Sequence, residues 1–330
     1  MALLRGVFIV AAKRTPFGAY GGLLKDFTST DLAEFAARAA LSAGKVPPET
    51  IDSVVVGNVL QTSSDAVYLA RHVGLRVGVP KETSALTINR LCGSGFQSIV
   101  NGCQEICVKD AEVVLCGGTE NMSQAPYCVR NTRFGTKLGA DIKLEDTLWS
   151  ALTDQYVKIP MAITAENLAE KHKISREDCD KYALQSQQRW KAASDAGYFN
   201  DEMAPIEVKT RKGKQTMQVD EHPRPQTTLE QLHKLAPVFK KEGTVTAGNA
   251  SVNEAFAPQY LAVQQSLDLD PSKTNVNGGA IALGHPLGGS GSRITAHLVH
   301  ELRRRGGKYA VGSACIGGGQ GIAVIIERTV

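Results

Sequence analysis

Residues 89–95 read Asn-Arg-Leu-Cys-Gly-Ser-Gly and join two segments of different character. The run at 84–89 is typical of a strand, and the residues from about Cys92 to Val108 form a helical pattern. A strand that leads through a turn into a helix is the repeating unit of α/β proteins. The stretch therefore predicts an α/β fold in which Cys92 lies at the start of a helix.

The same alternation extends on both sides of this junction. Further strands are predicted at about 6–12, 53–56 and 111–116, and further helices from near Thr30 to Leu41 and at about 64–77. Alternation of this kind predicts a mostly parallel sheet that helices cover on both faces.

The remaining residues divide into two regions. Residues 121–250 are polar, and they contain a long helix capped at Ser175 and a hairpin around Lys212-Gly213. We interpret this region as an inserted domain that carries substrate contacts. It separates a first half, residues 1–120, from a last region, residues 251–330.

Residues 251–330 return to the alternating pattern of the first half. We expect a helix from Glu254, a strand near 274–277, a helix at about 290–304 and a hairpin of 309–314 with 321–326. Val-Gly-Asn at 56–58 and Val-Asn-Glu at 252–254 occupy matching places before a helix. Because a strand, a helix and a strand precede only the first of these, the second copy of an internal repeat lacks roughly 50 residues.

Composition and charge exclude several classes of protein. The chain has 330 residues, 42% of them hydrophobic and 21% charged, and a net charge of +4, which predicts a soluble globular protein rather than a nucleic-acid binder. No apolar run approaches the ~18 residues that would cross a bilayer. The seven cysteines include no Cys-x-x-Cys pair. We therefore expect neither a disulfide framework nor a metal site, and a reducing compartment.

Cys92 is the first candidate for chemistry. At a helix N-terminus, unpaired N–H groups and the helix dipole lower the pKa of a thiol and favour the nucleophilic thiolate. The alternative is a buried structural cysteine in a helix-packing turn.

His285 stands in a glycine-rich turn at residues 277–286, Asn-Gly-Gly-Ala-Ile-Ala-Leu-Gly-His-Pro. A histidine held there can take the proton from a cysteine, which is how many nucleophilic cysteines are activated. Alternatively, it only caps a loop.

Cys315 lies in residues 313–321, Ser-Ala-Cys-Ile-Gly-Gly-Gly-Gln-Gly, at the end of a predicted buried strand. The glycines leave backbone N–H groups free to stabilise an oxyanion, a donor worth about 3–4 kcal/mol when well placed. A tight glycine hairpin with a core cysteine is the simpler alternative. Asn253 opens residues 253–256, Asn-Glu-Ala-Phe, where an N-cap is its simplest role.

Taken in chain order, around Cys92, Asn253, His285 and Cys315, these four motifs resemble the four active-site motifs of thiolases, and the resemblance covers the whole chain. It implies the thiolase fold, an α/β fold of two pseudo-repeated βαβαβαββ halves with mixed sheets and an inserted loop domain that binds CoA. It also implies an acyltransferase that cleaves 3-oxoacyl-CoA with CoA to acyl-CoA and acetyl-CoA, and runs the reverse condensation. A dinucleotide-binding oxidoreductase is excluded, because no strand–GxGxxG–helix unit is present.

The resemblance assigns roles to five residues. It implies that Cys92 attacks the 3-keto carbon and keeps the acyl group, that His285 activates it, and that Cys315 protonates the leaving enolate. Asn253 would hold a water in one oxyanion hole with His285, and the N–H groups of Cys92 and Gly317 would form a second.

The resemblance also implies where CoA binds. Arg224 and Thr227 match contacts to its nucleotide end, and Ser251 matches a contact to its pantetheine arm. CoA is expected as a co-substrate, with no permanently bound cofactor and no metal. The partners expected are CoA and acyl-CoA thioesters, and a second copy of the chain in a homodimer or homotetramer.

The sequence departs from the family directly after Ser251, where thiolases continue with a strand, a helix and another strand before the Asn-Glu-Ala-Phe motif. We therefore expect a truncated second half. The alternative function is that of a catalytically impaired variant, with Asn253, His285 and Cys315 displaced, that binds CoA or co-assembles with a full-length enzyme.

The first 25 residues contain basic residues and no acid before Asp26, which is typical of a mitochondrial presequence. Since the run at 7–10, Val-Phe-Ile-Val, also suits a strand, we expect an uncleaved targeting signal that forms part of the fold.

Overall fold

The computed structural model describes residues 6–250 and 256–329. Its helices are α1 (Ser29–Gly44), α2 (Leu69–Val77), α3 (Ser94–Val108), α4 (Thr147–Ala151), α5 (Met161–His172), α6 (Arg176–Asp195), α7 (Leu229–His233), α8 (Ala257–Leu267), α9 (Ala280–Leu283) and α10 (Ser290–Arg305). Its strands are β1 (Ser53–Gly57), β2 (Ser84–Ile88), β3 (Val114–Gly118), β4 (Tyr127–Val129), β5 (Leu144–Asp146), β6 (Thr153–Asp154), β7 (Ile159–Pro160), β8 (Ile206–Thr210), β9 (Gly213–Met217), β10 (Tyr309–Ile316) and β11 (Gln320–Glu327).

A three-stranded parallel sheet of order β2-β1-β3 organises the first 120 residues, as the alternation predicts. In the central strand, Val55 lies between Leu86 and Cys116. Val54 and Val56 point to the opposite face from Val55 and pack against α1 and α2. Helix α3 contacts both β1 and β3 and so covers the other face of the sheet.

The predicted strand at 6–12 is wrong. These residues form no strand, and within the described chain none of their backbone N–H groups donates to a backbone carbonyl. Phe8 and Val10 are 64% and 65% exposed. A cavity of about 510 Å³ is lined both by residues 7–12 and by β3. A strand needs a neighbouring edge for its backbone groups, and this segment has none within reach.

The predicted elements of residues 121–250 are confirmed. Ser175 caps α6 in a capping box with Asp178, and β8 and β9 form the predicted hairpin. Helices α5, α6 and α8 share a core that contains Ala169, Cys179 and Tyr260.

Of the four elements predicted in the last region, one is wrong and three are confirmed. The helix expected from Glu254 is present as α8, which begins at Ala257, and Glu254 itself lies outside the described residues. Residues 274–277 form no strand. Asn275 has a φ of 47°, and the side-chain NH₂ group of Asn277 donates to Glu301 Oε2 at 2.9 Å. The segment therefore turns instead of pairing with another strand. Helix α10 and the β10–β11 hairpin are confirmed. The outer face of the hairpin leaves Val311 and Ile325 exposed.

The first half and the last region contact each other through backbone atoms. A Cβ atom on Gly95 of α3 would lie 2.6 Å from the backbone nitrogen of Ser292 and 2.8 Å from the carbonyl oxygen of Gly288. Only glycine permits this approach between α3 and α10. The loops that lead into these two helices, which carry Cys92 and His285, are therefore held side by side.

A buried ion cluster ties the first segment to the other regions. Arg14 pairs with Glu202 and with Asp220, each at 2.6 Å, and His297 Nδ1 lies 2.7 Å from Glu202. Among the residues at 6–250 and 256–329, no helix is long and apolar enough to cross a membrane.

Candidate active site

The turn that carries Cys92 is fixed by side chains. Leu91 has a φ of 47°, a left-handed conformation that costs energy for a residue with a Cβ atom. The Asn89 carboxamide oxygen accepts from the Leu91 N–H at 3.0 Å. Ser94 Oγ accepts from the Arg90 N–H at 2.9 Å and donates to the Leu91 carbonyl at 2.6 Å. The strained turn therefore gives Cys92 one defined position.

The glycine-rich turn after Cys315 packs directly on this turn. A Cβ atom on Gly93 would collide with Ile316, and one on Gly317 would lie 3.1 Å from Leu91 Cδ1. The Gly317 N–H and the Cys92 N–H both donate toward the Cys92 sulfur, and Cys315 lies close enough to Cys92 to raise the pKa of its thiol. The structure thus brings together Cys92, Cys315 and Gly317.

Both thiols are neutral in this environment. Burial raises the pKa of Cys92 to about 12, the neighbouring Cys315 adds to the rise, and the two N–H donors offset it in part. The prediction that a helix N-terminus lowers this pKa is wrong, because α3 begins only at Ser94 and burial outweighs the donors. Burial also raises the pKa of Cys315, although the Gln259 side chain opposes the rise with a hydrogen bond.

His285 is buried and neutral. Burial lowers the pKa of His285 to about 3, and the Arg293 guanidinium lowers it further. The imidazole Nδ1 is hydrogen-bonded to Ser290 Oγ, and Ser290 Oγ donates its own proton to the Pro286 carbonyl at 2.9 Å. Because a hydroxyl has one proton, Ser290 must accept from Nδ1–H. The lone pair of His285 is therefore on Nε2, which is buried without a hydrogen-bond partner among the described residues.

The loop that carries His285 packs against Cys92 through the residues that follow His285. Leu287 packs with Cys92 and Leu60 in one buried cluster. The neutral imidazole is thus on a loop that contacts the Cys92 pocket. This arrangement is suited to a base that accepts the proton of a neutral thiol.

The two predicted nucleotide contacts form one turn near this loop. Thr227 donates from its N–H and from Oγ1 to the Arg224 carbonyl, at 3.0 and 2.7 Å, and the Arg224 side chain is exposed. His222, just before this turn, bonds to the Ala282 carbonyl at 2.8 Å. The predicted site residues Ser251 and Asn253 lie outside the described residues.

Three contributing residues were missed by the sequence interpretation. Gln259 bonds to Cys315, Ser290 bonds to His285, and Glu120 acts on Cys92 through its charge. Their available signals were weak: Ser290 follows two glycines five residues after His285, and Glu120 follows Gly117-Gly118-Thr119 at the end of a strand.

Comparison with known proteins identifies the class. Residues 7–254 match the family model "Thiolase, N-terminal domain", and residues 235–328 match "Thiolase, C-terminal domain". The chain belongs to the thiolase family, and it has the thiolase fold that the motifs imply.

Within the family, the chain is similar over its full length to mitochondrial 3-ketoacyl-CoA thiolases. The chain is 74% identical to the mitochondrial 3-ketoacyl-CoA thiolase of Homo sapiens, over 100% of both sequences. The crystal structure of human mitochondrial 3-ketoacyl-CoA thiolase superposes with a TM-score of 0.98 at 74% identity, covering 99% of this chain and 100% of that one. The crystal structure of the same human enzyme in complex with CoA superposes with a TM-score of 0.97 at 73% identity, covering 100% of this chain and 99% of that one.

The sequence alignment with the Homo sapiens relative shows how many residues this chain lacks in comparison. It runs over 396 positions, and this chain has 330 residues, so at least 66 aligned positions carry no residue of this chain. The loss is somewhat larger than the repeat count indicated. Its place after Ser251 stays a prediction, as do the three domain boundaries.

Proposed function

We propose that this chain cleaves 3-oxoacyl-CoA with CoA to acyl-CoA and acetyl-CoA, and catalyses the reverse condensation, through an acyl group carried on Cys92. The observation that carries the proposal is the meeting of Cys92, Cys315 and the Gly317 N–H beside the loop of a buried neutral imidazole. The names of the relatives, 3-ketoacyl-CoA thiolase, support the same reaction.

In the first half-reaction, Cys92 Sγ attacks the 3-keto carbon while His285 Nε2 accepts the thiol proton. Neutral groups suit this step, because the base has a free lone pair and the proton is transferred as the nucleophile reacts. The C2–C3 bond then breaks, the enolate of acetyl-CoA takes the electron pair, and Cys315 protonates it. The acyl group remains on Cys92 as a thioester.

In the second half-reaction, the Cys315 thiolate removes the proton of the incoming CoA thiol. The CoA sulfur attacks the acyl thioester, whose carbonyl oxygen becomes negative and is stabilised by the N–H groups of Cys92 and Gly317. Collapse releases acyl-CoA, and the Cys92 thiolate regains its proton from His285. Cys92, His285 and Cys315 all return to their starting states.

CoA is the co-substrate of this reaction, and no permanently bound cofactor is required. Arg224 and Thr227 would contact its nucleotide end, and Ser251 its pantetheine arm; Asn253 would complete the first oxyanion hole. The exposed guanidinium of Arg224 is suited to phosphate groups. The CoA complex of the human relative supports this assignment of the ligand.

The place of action is the mitochondrion, in fatty-acid β-oxidation. The relatives named mitochondrial, and the basic residues before Asp26, support this location.

A second copy of the chain pairs at β2. This strand is one of the two outer strands of the parallel sheet, and its Leu86 is 47% exposed. An exposed apolar edge strand is a ready partner for another strand. The native mass of the purified protein tests the proposed homodimer or homotetramer.

A catalytically impaired variant is not favoured. The chain aligns over its whole length with a relative named 3-ketoacyl-CoA thiolase, and Cys92 and Cys315 lie next to each other. The test is thiolysis of acetoacetyl-CoA by purified chain, with Cys92→Ser as control, and mass spectrometry of the acyl-enzyme. We expect turnover and an acetyl group on Cys92 in the wild type only. Wild-type protein that is folded but shows neither product would overturn the proposal.

A further inference from the structure

One buried carboxylate that the proposed reaction does not use is surrounded by donors. Glu120 follows β3 and is 6% exposed. Its Oε1 accepts from Asn58 Nδ2 at 3.0 Å and from the Leu60 N–H at 3.1 Å. Its Oε2 accepts from the Val59 N–H at 3.1 Å and from the Gly288 N–H at 3.0 Å.

This set of partners specifies the charge state of the carboxylate. Two oxygens offer about four acceptor sites, and all four are filled by donors. A proton on either oxygen would face an N–H group instead of an acceptor. The hydrogen bonds therefore select the ionised form, even though burial raises the pKa of Glu120 to about 7.

The partners also connect two distant parts of the chain at the active site. Gly288 is 168 positions from Glu120 and three residues after His285. Leu60, whose N–H donates to Glu120, and Leu287, which precedes Gly288, both pack on Cys92. The carboxylate thus joins the wall of the nucleophile pocket to the loop that carries the imidazole.

We infer that Glu120 is a positioning residue whose four hydrogen bonds hold the His285 loop in register with the Cys92 pocket. The inference rests on the proposed function for its effect on catalysis, but not for its effect on the loop. Glu120 acts on the loop through its hydrogen bond to Gly288, in addition to the effect of its charge on Cys92.

The variant Glu120→Gln tests the inference with nearly constant volume. A carboxamide has one acceptor oxygen, and its NH₂ group faces two N–H donors in either orientation. We expect kcat for thiolysis to fall about 10–100-fold, the usual loss when a group that orients a catalytic side chain is removed. KM for CoA should stay within about threefold, because the four hydrogen bonds of Glu120 go to Asn58, Val59, Leu60 and Gly288 and not to the Arg224 turn.

A second readout does not need activity. Hydrogen exchange of the Gly288 amide should accelerate at least about tenfold in Glu120→Gln. The Val245 amide, which donates at 2.9 Å to the different buried carboxylate Glu166, should keep its protection. Asn121→Ala is the matched control: it removes a neighbouring buried polar group that bonds to the Phe27 carbonyl and not to the His285 loop. It should leave Gly288 protection as in the wild type.

The outcomes separate the two proposals. Inactive wild type with accelerated Gly288 exchange in Glu120→Gln would overturn the proposed reaction and support the positioning role. Unchanged Gly288 exchange, or an unchanged kcat in an active enzyme, would overturn the positioning role. If Glu120→Gln does not fold, Glu120→Asp keeps the charge with a shorter reach, and it should show the same two effects at smaller size; their absence would count equally against the inference.

Discussion

Replacing Ser290 with alanine should slow the acylation of Cys92, because it removes the group that fixes the tautomer of His285. In the structure Ser290 Oγ gives its proton to the Pro286 carbonyl and accepts from His285 Nδ1–H, which leaves the lone pair on Nε2. In Ser290→Ala the buried Nδ1–H loses its acceptor. The competing tautomer, with its proton on Nε2, cannot accept a proton from Cys92 at that nitrogen.

The size of the effect follows from the cost of one unsatisfied buried donor. That cost is about 1–3 kcal/mol. Since each 1.4 kcal/mol is about tenfold in rate, we expect acylation of Cys92 to slow by about 5–150-fold. The binding of CoA should change little, because Ser290 is fully buried behind the imidazole.

Stopped-flow acylation with acetoacetyl-CoA measures the rate, and ¹⁵N NMR of the histidine side chains measures the tautomer. Ser292→Ala is the matched control in the same first turn of α10: its hydroxyl donates to the Gly289 carbonyl at 2.9 Å and is not bonded to His285. The reasoning is refuted if Ser290→Ala acylates at the wild-type rate, or if its His285 keeps the Nδ1–H signature while the rate falls.

Three further outcomes follow from the packing and the buried charges. Gly95→Ala should destabilise the chain by about 1–3 kcal/mol in urea unfolding, because its Cβ atom would press on backbone atoms of the α10 loop that cannot move aside; an unchanged midpoint would contradict the glycine contact between the halves. Phe8→Ala should change stability by less than about 0.5 kcal/mol, as at other exposed sites, whereas a loss of about 3–5 kcal/mol would mean that residues 6–12 form a buried strand after all. For Glu202, burial alone would raise its pKa, but Arg14 and His297 lower it from 4.5 to about 2. A carboxyl whose pKa is lower in the folded state stabilises the fold above about pH 4.5 and loses this contribution as the pH falls toward about 2, an effect on the order of 3 kcal/mol. The slope of stability against acid pH should therefore be shallower in Glu202→Gln than in the wild type; equal slopes would exclude Glu202 as its source.

Periodicity and local chemistry were enough to predict most elements. The helix capped by Ser175 and the hairpin at Lys212-Gly213 depend on residues a few positions apart, so their signals are local. The strand at 6–12 failed because its residues prefer extended backbone but a strand also needs a partner. That partner is a property of the whole chain, and the segment faces a cavity instead of a paired edge.

The sequence by itself predicted which residues carry chemistry: Cys92, His285 and Cys315 stand in motifs whose glycines and neighbours are readable one motif at a time. Tertiary structure alone decided their protonation states and their supports. Burial made both thiols neutral against the expectation from the helix N-terminus. Glu120 bonds to Gly288 across 168 positions of chain, a distance that no local pattern records. The physical reason is that desolvation and hydrogen-bond geometry depend on what surrounds a group in space, whereas motifs report only its neighbours along the chain.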